Sequence, residues 1–379
     1  MSCKCVFIIA GEASGDNHGA KLVNAMRTMN NGLFFCGIGG DSMEKAGVRI
    51  VFDASKLSVV GITEVFSKVP NIIRCMTLVK KLLKSLRPDL LILIDFPDFN
   101  LHVAVTAKKN NIPVLYYISP QIWAWRQGRV KKIAKRVDHM AVILPFEEAY
   151  YRGYSIPVTF VGHPLLDNDS TQIDAIAKRD GEDAAVLGIL PGSRNSEVKR
   201  NLSVMLEAAK MLSERAWNIR IVVSVAQSVN KTYVEQLVKQ HQHHMNLEMD
   251  TRSIGSILER CDFVIAVSGT VTLEAAICGV PMVIVYKVSM LSYLLGRWLI
   301  KVDSIGLANL IAGKKIVPEL VQKDATPDKI ADMAFNMWSN PERIENIRKD
   351  LIDVKQLLGG PGASKRVAGI AMKMLDNEN

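Results

Sequence analysis

Residues 185–199, AVLGILPGSRNSEVK, limit the possible folds of this chain more than any other stretch. Ala185 to Leu190 is an apolar run of strand length. Pro191-Gly192-Ser193 breaks it, and Val198, Leu202, Met205 and Leu206 then recur at helical spacing. A strand that feeds a helix through small residues aims unpaired backbone N–H groups at whatever lies above the strand. The positive end of the helix dipole points the same way. Ser193 adds a hydroxyl, and Arg194 adds a planar, permanently charged fork. The combination of Gly192, Ser193 and Arg194 predicts a diphosphate-binding turn; the alternative is an ordinary strand–helix loop with a surface arginine.

The pattern returns at Cys261–Val267, which runs into Ser268-Gly269-Thr270 and then a helix carrying Glu274. Glu274 stands one turn along and can accept hydrogen bonds from a ribose diol. Two such turns in one half of the chain point to a nucleoside diphosphate. A third lies near the N-terminus: a strand over residues 5–10, the turn Gly11-Glu12-Ala13-Ser14-Gly15-Asp16, and a helix from about His18 to Met29. Neither this turn nor Gly37-Ile38-Gly39-Gly40 completes the glycine fingerprint of a nicotinamide or flavin site, so no cofactor is expected.

Strands and helices alternate on both sides of the central turn, which predicts an α/β protein with two Rossmann-like domains facing across a cleft. The expected limits are an N-terminal domain over 1–164, a polar linker over 165–184, a C-terminal domain over 185–358 and a closing helical segment over 359–379. Asp167-Asn168-Asp169 reads as linker. The length, 379 residues, suits two domains. No stretch is long and apolar enough to span a bilayer, and Val6–Ala10 is too short for a signal sequence, so a cytoplasmic protein is expected. The six cysteines show no metal or redox spacing and read as reduced thiols, with no metal site.

In the N-terminal half, Leu90–Ile94 is a continuous apolar run, hence a central parallel strand, and it ends in Asp95-Phe96-Pro97-Asp98-Phe99-Asn100. Chemistry in such folds sits beyond the carboxyl ends of the strands, where Asp95 would stand as a general base. The alternative is a helix cap, a role that Asp98 or Asn100 suits better. After the strand at 114–118, Trp123, Trp125 and Arg126 could bind a sugar face, line an acyl groove or staple their loop. His163, after the last strand of this half, would face the cleft.

The net charge is +9, which favours an anionic partner. The segment 126–136 holds six cations and no acid. No base-stacking or groove-reading module surrounds it, so nucleic acid is not expected. Ile62, Val65, Phe66, Val69, Ile72 and Ile73 form an apolar stripe interleaved with cations, and Pro70 is expected to kink or split the helix. Residues 60–73 read as a surface that docks on an anionic membrane. Farther along, at 76–86, core packing explains the stripe.

Taken together, AGEASGD (10–16), IDFPDFN (94–100), YISPQIWAWR (117–126), LPFE (144–147), VGHPLLD (161–167), LPGSR (190–194), SGTVTLE (268–274) and NLIAG (309–313) resemble the lipid A disaccharide synthases. The resemblance implies a GT-B glycosyltransferase fold with the donor in the C-terminal domain. It implies metal-free, inverting transfer of 2,3-diacylglucosamine from UDP to 2,3-diacylglucosamine 1-phosphate, giving a β-1,6 disaccharide 1-phosphate and UDP. Asp95 would match the essential aspartate and Arg194 the arginine that neutralises departing UDP. Ser268, Gly269, Thr270 and Glu274 would match diphosphate and ribose positions, and Asn309 a donor-side asparagine. Gly11, Glu12, Ser14, Gly15, Asp16, Asp98, Asn100, Trp123, Arg126 and His163 would lie on the acceptor side. The family also implies attachment to the cytoplasmic face of the inner membrane, and a homodimer. Two alternatives remain: an isomerase like the UDP-N-acetylglucosamine 2-epimerases, which share this fold, and a non-catalytic homologue.

Overall fold

The structure, a computed structural model, describes residues 4–57, 62–167, 184–215, 218–242, 245–289 and 304–376, the side chains of 62–68 excepted. Its apolar runs become parallel strands. The first sheet contains β1 (Cys5–Ala10), β2 (Phe34–Gly39), β3 (Arg49–Asp53), β4 (Leu90–Ile94), β5 (Val114–Tyr117), β6 (His139–Val142) and β7 (Val158–Phe160), in the order β3-β2-β1-β4-β5-β6-β7. The second contains β8 (Ala185–Leu190), β9 (Ile219–Ser224), β10 (Asn246–Asp250), β11 (Phe263–Val267), β12 (Met282–Tyr286) and β13 (Glu319–Val321), in the order β10-β9-β8-β11-β12-β13. Every residue of β4 is buried, as expected for a parallel strand covered on both faces.

Strand order reverses between β1 and β4 in the first sheet and between β8 and β11 in the second, and crevices for ligands open at such switch points. Ala10 lies opposite Ile94, so Gly11 and Asp95 leave the first sheet side by side. Leu190, the last residue of β8, lies opposite Ala266, one residue before β11 ends, so the turns after the two strands start within one residue of each other.

The chain divides into two compact units, one of residues 1–167 with 358–379 and the other of 168–357. The last helix, Ala363–Asp376, therefore belongs to the first unit. Its Val367, Ala368, Ala371 and Leu375 share a core with Leu22, Val23 and Met26 of the first helix. Asp167 fastens its start. The carboxylate accepts the N–H groups of Gly362 (2.6 Å), Ala363 (3.0 Å) and Ser364 (3.1 Å), and the Ser364 hydroxyl (3.0 Å). Arg366 donates from Nε to the Val161 carbonyl (2.7 Å). Leu165–Asp167, expected as the start of the linker, instead belong to the tight turn Pro164–Asp167 anchored in the first unit. Residues 168–183 lie outside the described residues.

Two further expectations are corrected. The first helix runs Ala13–Met29, so Ser14, Gly15 and Asp16 form its first turn rather than the loop before it. The helix Ile62–Leu86 contains Pro70 and continues through it, so the proline does not split it in two. Cys75, Val79 and Leu83, spaced by four, are fully buried and hold the helix on the sheet beyond the proline.

Candidate active site

In the second unit, the helices Asn195–Ser213 and Thr270–Ile277 begin where β8 and β11 end. A cavity of ≈ 320 Å³ lies over both starts and is lined by Gly192, Ser193, Arg194, Ser268, Gly269, Thr270 and Glu274, together with Glu197 and Tyr286. Gly192 has φ +107°, a backbone conformation that favours glycine, and a Cβ there would also crowd the Glu197 side chain. Glu197 accepts the Arg194 backbone N–H (3.3 Å) and pairs with its guanidinium (3.4 Å). Arg194 is thereby held at the cavity with 65 % of its side chain exposed. Burial pushes the Glu274 carboxyl up to about 7, where it can both donate to and accept from a diol.

Two residues expected to touch the donor are spent inside the protein. Ser268 donates its hydroxyl to the Ile305 carbonyl (2.9 Å), which leaves no proton for a phosphate oxygen. Asn309 is buried, and its amide is fully committed. It donates to the Val317 carbonyl (2.9 Å) and Glu319 (2.8 Å), and it accepts the N–H groups of Ile316 (2.9 Å) and Val317 (3.0 Å). Glu319 in turn accepts from Ile305 and Gly306. Asn309 and Glu319 thus shape the segment that Ser268 holds.

In the first unit the chain turns sharply after β4, with Asp95 (φ +44°) and Phe96 (φ +47°) both left-handed. Each such residue is strained by roughly 1–2 kcal/mol. Surrounding contacts hold the turn. The Asp95 carbonyl accepts from the Tyr116 hydroxyl (2.6 Å) and from Asn100 Nδ2 (2.7 Å). The Phe96 ring stacks on Phe99 at 5.3 Å and fills the space over Gly11, where a Cβ would lie 2.4 Å from it. Burial, and then the negative charge of Glu12, raise the Asp95 carboxyl to about 6, against a hydrogen bond from the Phe96 N–H. At neutral pH Asp95 is mostly ionised yet more basic than an ordinary aspartate, as a base for a hydroxyl needs to be.

Around this turn the acceptor-side residues separate into groups. Gly11 and Glu12 adjoin Asp95, and Ser14 is exposed on the first helical turn. Asn100 lies inside the helix Pro97–Lys109 and braces the Asp95 carbonyl, so it is not the cap. Asp98 is 70 % exposed and paired with Arg129 and with Arg126 (3.6 Å). Gly15 is buried against Ala10 and Ile94. The Asp16 carboxylate accepts the N–H groups of Gly40 (2.6 Å), Ser42 (2.9 Å) and Met43 (3.2 Å), capping Asp41–Lys45 from within the fold.

Trp123 and His163 are also internal. The Trp123 indole is buried, edge-on to Phe146, and donates to Glu147 (3.1 Å), whereas Trp125 is 39 % exposed. His163 accepts the Leu165 N–H (3.2 Å) at Nδ1. Burial, and then His18, bring His163 down to about 3, so it is neutral near pH 7 and enclosed in the first unit. Glu147 was not singled out by the sequence reading, although it ends the LPFE stretch. It is buried, accepts from the Ser119 hydroxyl (2.5 Å), Trp123 and the Leu144 N–H (3.1 Å), and is raised to about 7 by burial.

On the apolar stripe, Val69 (39 % exposed) and Ile73 (60 %) lie one turn apart on the surface. Ile72 packs on the core instead, which corrects its expected membrane-facing position. The side chains of Ile62, Val65 and Phe66 lie outside the described residues. No described helix is long and apolar enough to cross a membrane. Among the described residues, no three His, Cys, Asp or Glu side chains are grouped to hold a metal.

A family model described as lipid-A-disaccharide synthetase matches residues 6–373. The chain belongs to the lipid-A-disaccharide synthase family. It is 46 % identical over 384 residues to the lipid-A-disaccharide synthase of Syntrophus aciditrophicus, covering 99 % of each chain. It is 45 % identical to that of Geobacter metallireducens, covering 98 % of this chain and 97 % of the relative. Membership makes it a glycosyltransferase of lipid A biosynthesis and does not favour the isomerase alternative. Among solved structures, a putative UDP-N-acetylglucosamine 2-epimerase from Listeria monocytogenes superposes with TM-score 0.66 at 12 % identity, covering 100 % of this chain and 98 % of that one. MurG from Acinetobacter baumannii gives 0.60 at 14 %, covering 98 % and 99 %. At these identities the likeness is one of fold, a pair of Rossmann-like units of the GT-B kind.

Proposed function

We propose that the chain transfers 2,3-diacylglucosamine from UDP to O6 of 2,3-diacylglucosamine 1-phosphate with inversion, and that Asp95 is the base. The hydroxyl loses its proton to Asp95 as it attacks the anomeric carbon, from the face opposite the departing UDP. This matches the in-line logic of inverting glycoside chemistry. The diphosphate would sit on the N–H groups at Ser193 and Thr270, with Arg194 neutralising charge as the bond breaks. Glu274 would hold the ribose. Val69 and Ile73 would seat the first unit on the cytoplasmic face of an anionic membrane, where both substrates carry their acyl chains, and the working form would be a homodimer. The observation that carries this reading is the Asp95 turn. A strained bend at the sheet's switch point, braced by Tyr116, Asn100 and Gly11, holds a half-buried carboxyl raised to about 6. The test supplies radiolabelled acceptor and UDP-diacylglucosamine in detergent. Wild type should form disaccharide, Asp95→Ala should form none while still binding UDP, and Arg194→Ala should bind UDP about 10- to 100-fold more weakly. Absence of disaccharide with wild type would refute the proposal. Near-normal turnover by Asp95→Ala would refute only the base.

A further inference from the structure

One helical turn beyond Asp95, two arginines converge on a single carboxylate oxygen. Arg129 bonds Asp98 Oδ1, and Arg126 Nη1 lies 3.6 Å from the same atom. The Arg126 guanidinium also lies over the Trp125 ring, its Cζ 4.2 Å from the ring centre. An indole left 39 % exposed contributes little to a core, but as a platform under a cation it fixes where that cation points. Asp98 is itself 70 % exposed, and ion pairs this open to water add little stability. Two guanidinium groups and one carboxylate leave one net positive charge. Among the described ion pairs neither arginine has a second acidic partner.

We infer that Arg126 and Arg129, oriented by Trp125 and Asp98, form a subsite for a phosphomonoester, the 1-phosphate of the acceptor sugar. The inference rests on the acceptor proposed above and adds the atoms that recognise its anionic end. Asp95 and Asp98 are three residues apart, so their Cα atoms are at most about 11 Å apart. A separation within that limit leaves room for no more than one hexose ring between a hydroxyl at the base and a phosphate at the arginines. Guanidinium forks match phosphate oxygens in a way that lysine does not. A cation–π contact with Trp125 uses none of the guanidinium N–H donors of Arg126, so they remain able to meet an oxyanion. Asp98 acts as a positioning residue.

The test has two readouts. In the disaccharide assay, wild type should prefer the phosphorylated acceptor over dephosphorylated diacylglucosamine. The Arg126→Ala/Arg129→Ala variant should lose about 10- to 100-fold in kcat/KM on the phosphorylated acceptor. Its rate on the dephosphorylated acceptor and its KM for donor should stay within about threefold, a change worth under 1 kcal/mol. Lys131→Ala, in the same basic run, should behave as wild type. Retained preference for the phosphate in the double variant, or equal loss on both acceptors, would overturn the subsite. Separately, calorimetry with glucosamine 1-phosphate should show binding to wild type and its loss in the double variant. Absence of binding to wild type, or equal binding to both, also overturns it. If wild type makes no disaccharide from either acceptor but still binds glucosamine 1-phosphate through these arginines, the proposed reaction fails and the anion site stands.

Discussion

Replacing Asp95 with asparagine should abolish turnover and make the protein more stable. The two effects have one cause. Burial and the charge of Glu12 raise this carboxyl from the ordinary 3.8 to about 6. At about 1.4 kcal/mol per pKa unit, keeping it charged in the folded state costs up to about 3 kcal/mol. Asparagine is nearly isosteric, uncharged and among the residues that best tolerate the left-handed backbone observed here at φ +44°. Desolvating its amide takes back part of the gain, so about 1–3 kcal/mol should remain at pH 7.5. That corresponds to several degrees of melting temperature for a unit of this size. The sign depends on pH in a specific way. A carboxyl whose folded pKa is raised costs nothing below 3.8, and its cost grows between 3.8 and about 6 and is complete above that. The stability advantage of Asp95→Asn should therefore be present at pH 7.5 and vanish by about pH 4. Activity gives the complementary reading. At pH 5 about one-tenth of a group of pKa 6 is ionised, so wild-type kcat/KM should fall about tenfold from pH 8 to pH 5. Glu12→Gln should move that limb to lower pH. Scanning calorimetry across pH and a pH–rate profile check both halves. A less stable Asp95→Asn at pH 7.5, or an acid limb centred near 4 in wild type, would refute the desolvation argument.

Asn309→Ala should cost about 3 kcal/mol of stability and lower the melting temperature, because it strands the Ile316 and Val317 N–H groups in the interior; an unchanged melting temperature with only donor KM raised would return Asn309 to a donor contact. Asp167→Ala should cost about 2 kcal/mol and speed amide exchange throughout Ala363–Asp376, since it removes the acceptor of three backbone N–H groups. Unchanged exchange in that helix would show that the cap does not secure it. Val69→Ser/Ile73→Ser should release the protein from sedimenting anionic vesicles without altering its melting temperature, because both side chains are exposed. Continued co-sedimentation would argue against this surface as the docking face.

The sequence alone determined the alternation of strands and helices, the two switch-point turns of the second half and the position of Asp95. All of these follow from local periodicity and from small residues at strand ends, which a chain must carry wherever it folds. The short edge strands Arg49–Asp53 and Glu319–Val321 escaped it, because they are too brief or too charged to show an apolar run. Polar side chains were the other gap. Asp16, Trp123, His163, Ser268 and Asn309 look in sequence like residues for a ligand, yet each spends its hydrogen bonds on the protein's own interior. Sequence gives the number of donors and acceptors a residue brings, but only the tertiary structure decides which of them are already satisfied. For the same reason the link between Asp167 and the helix that begins 196 residues farther along, at Ala363, could not be read beforehand. Both ends of that contact are polar and follow no period, and only the folded first unit brings the carboxylate to the open helix end.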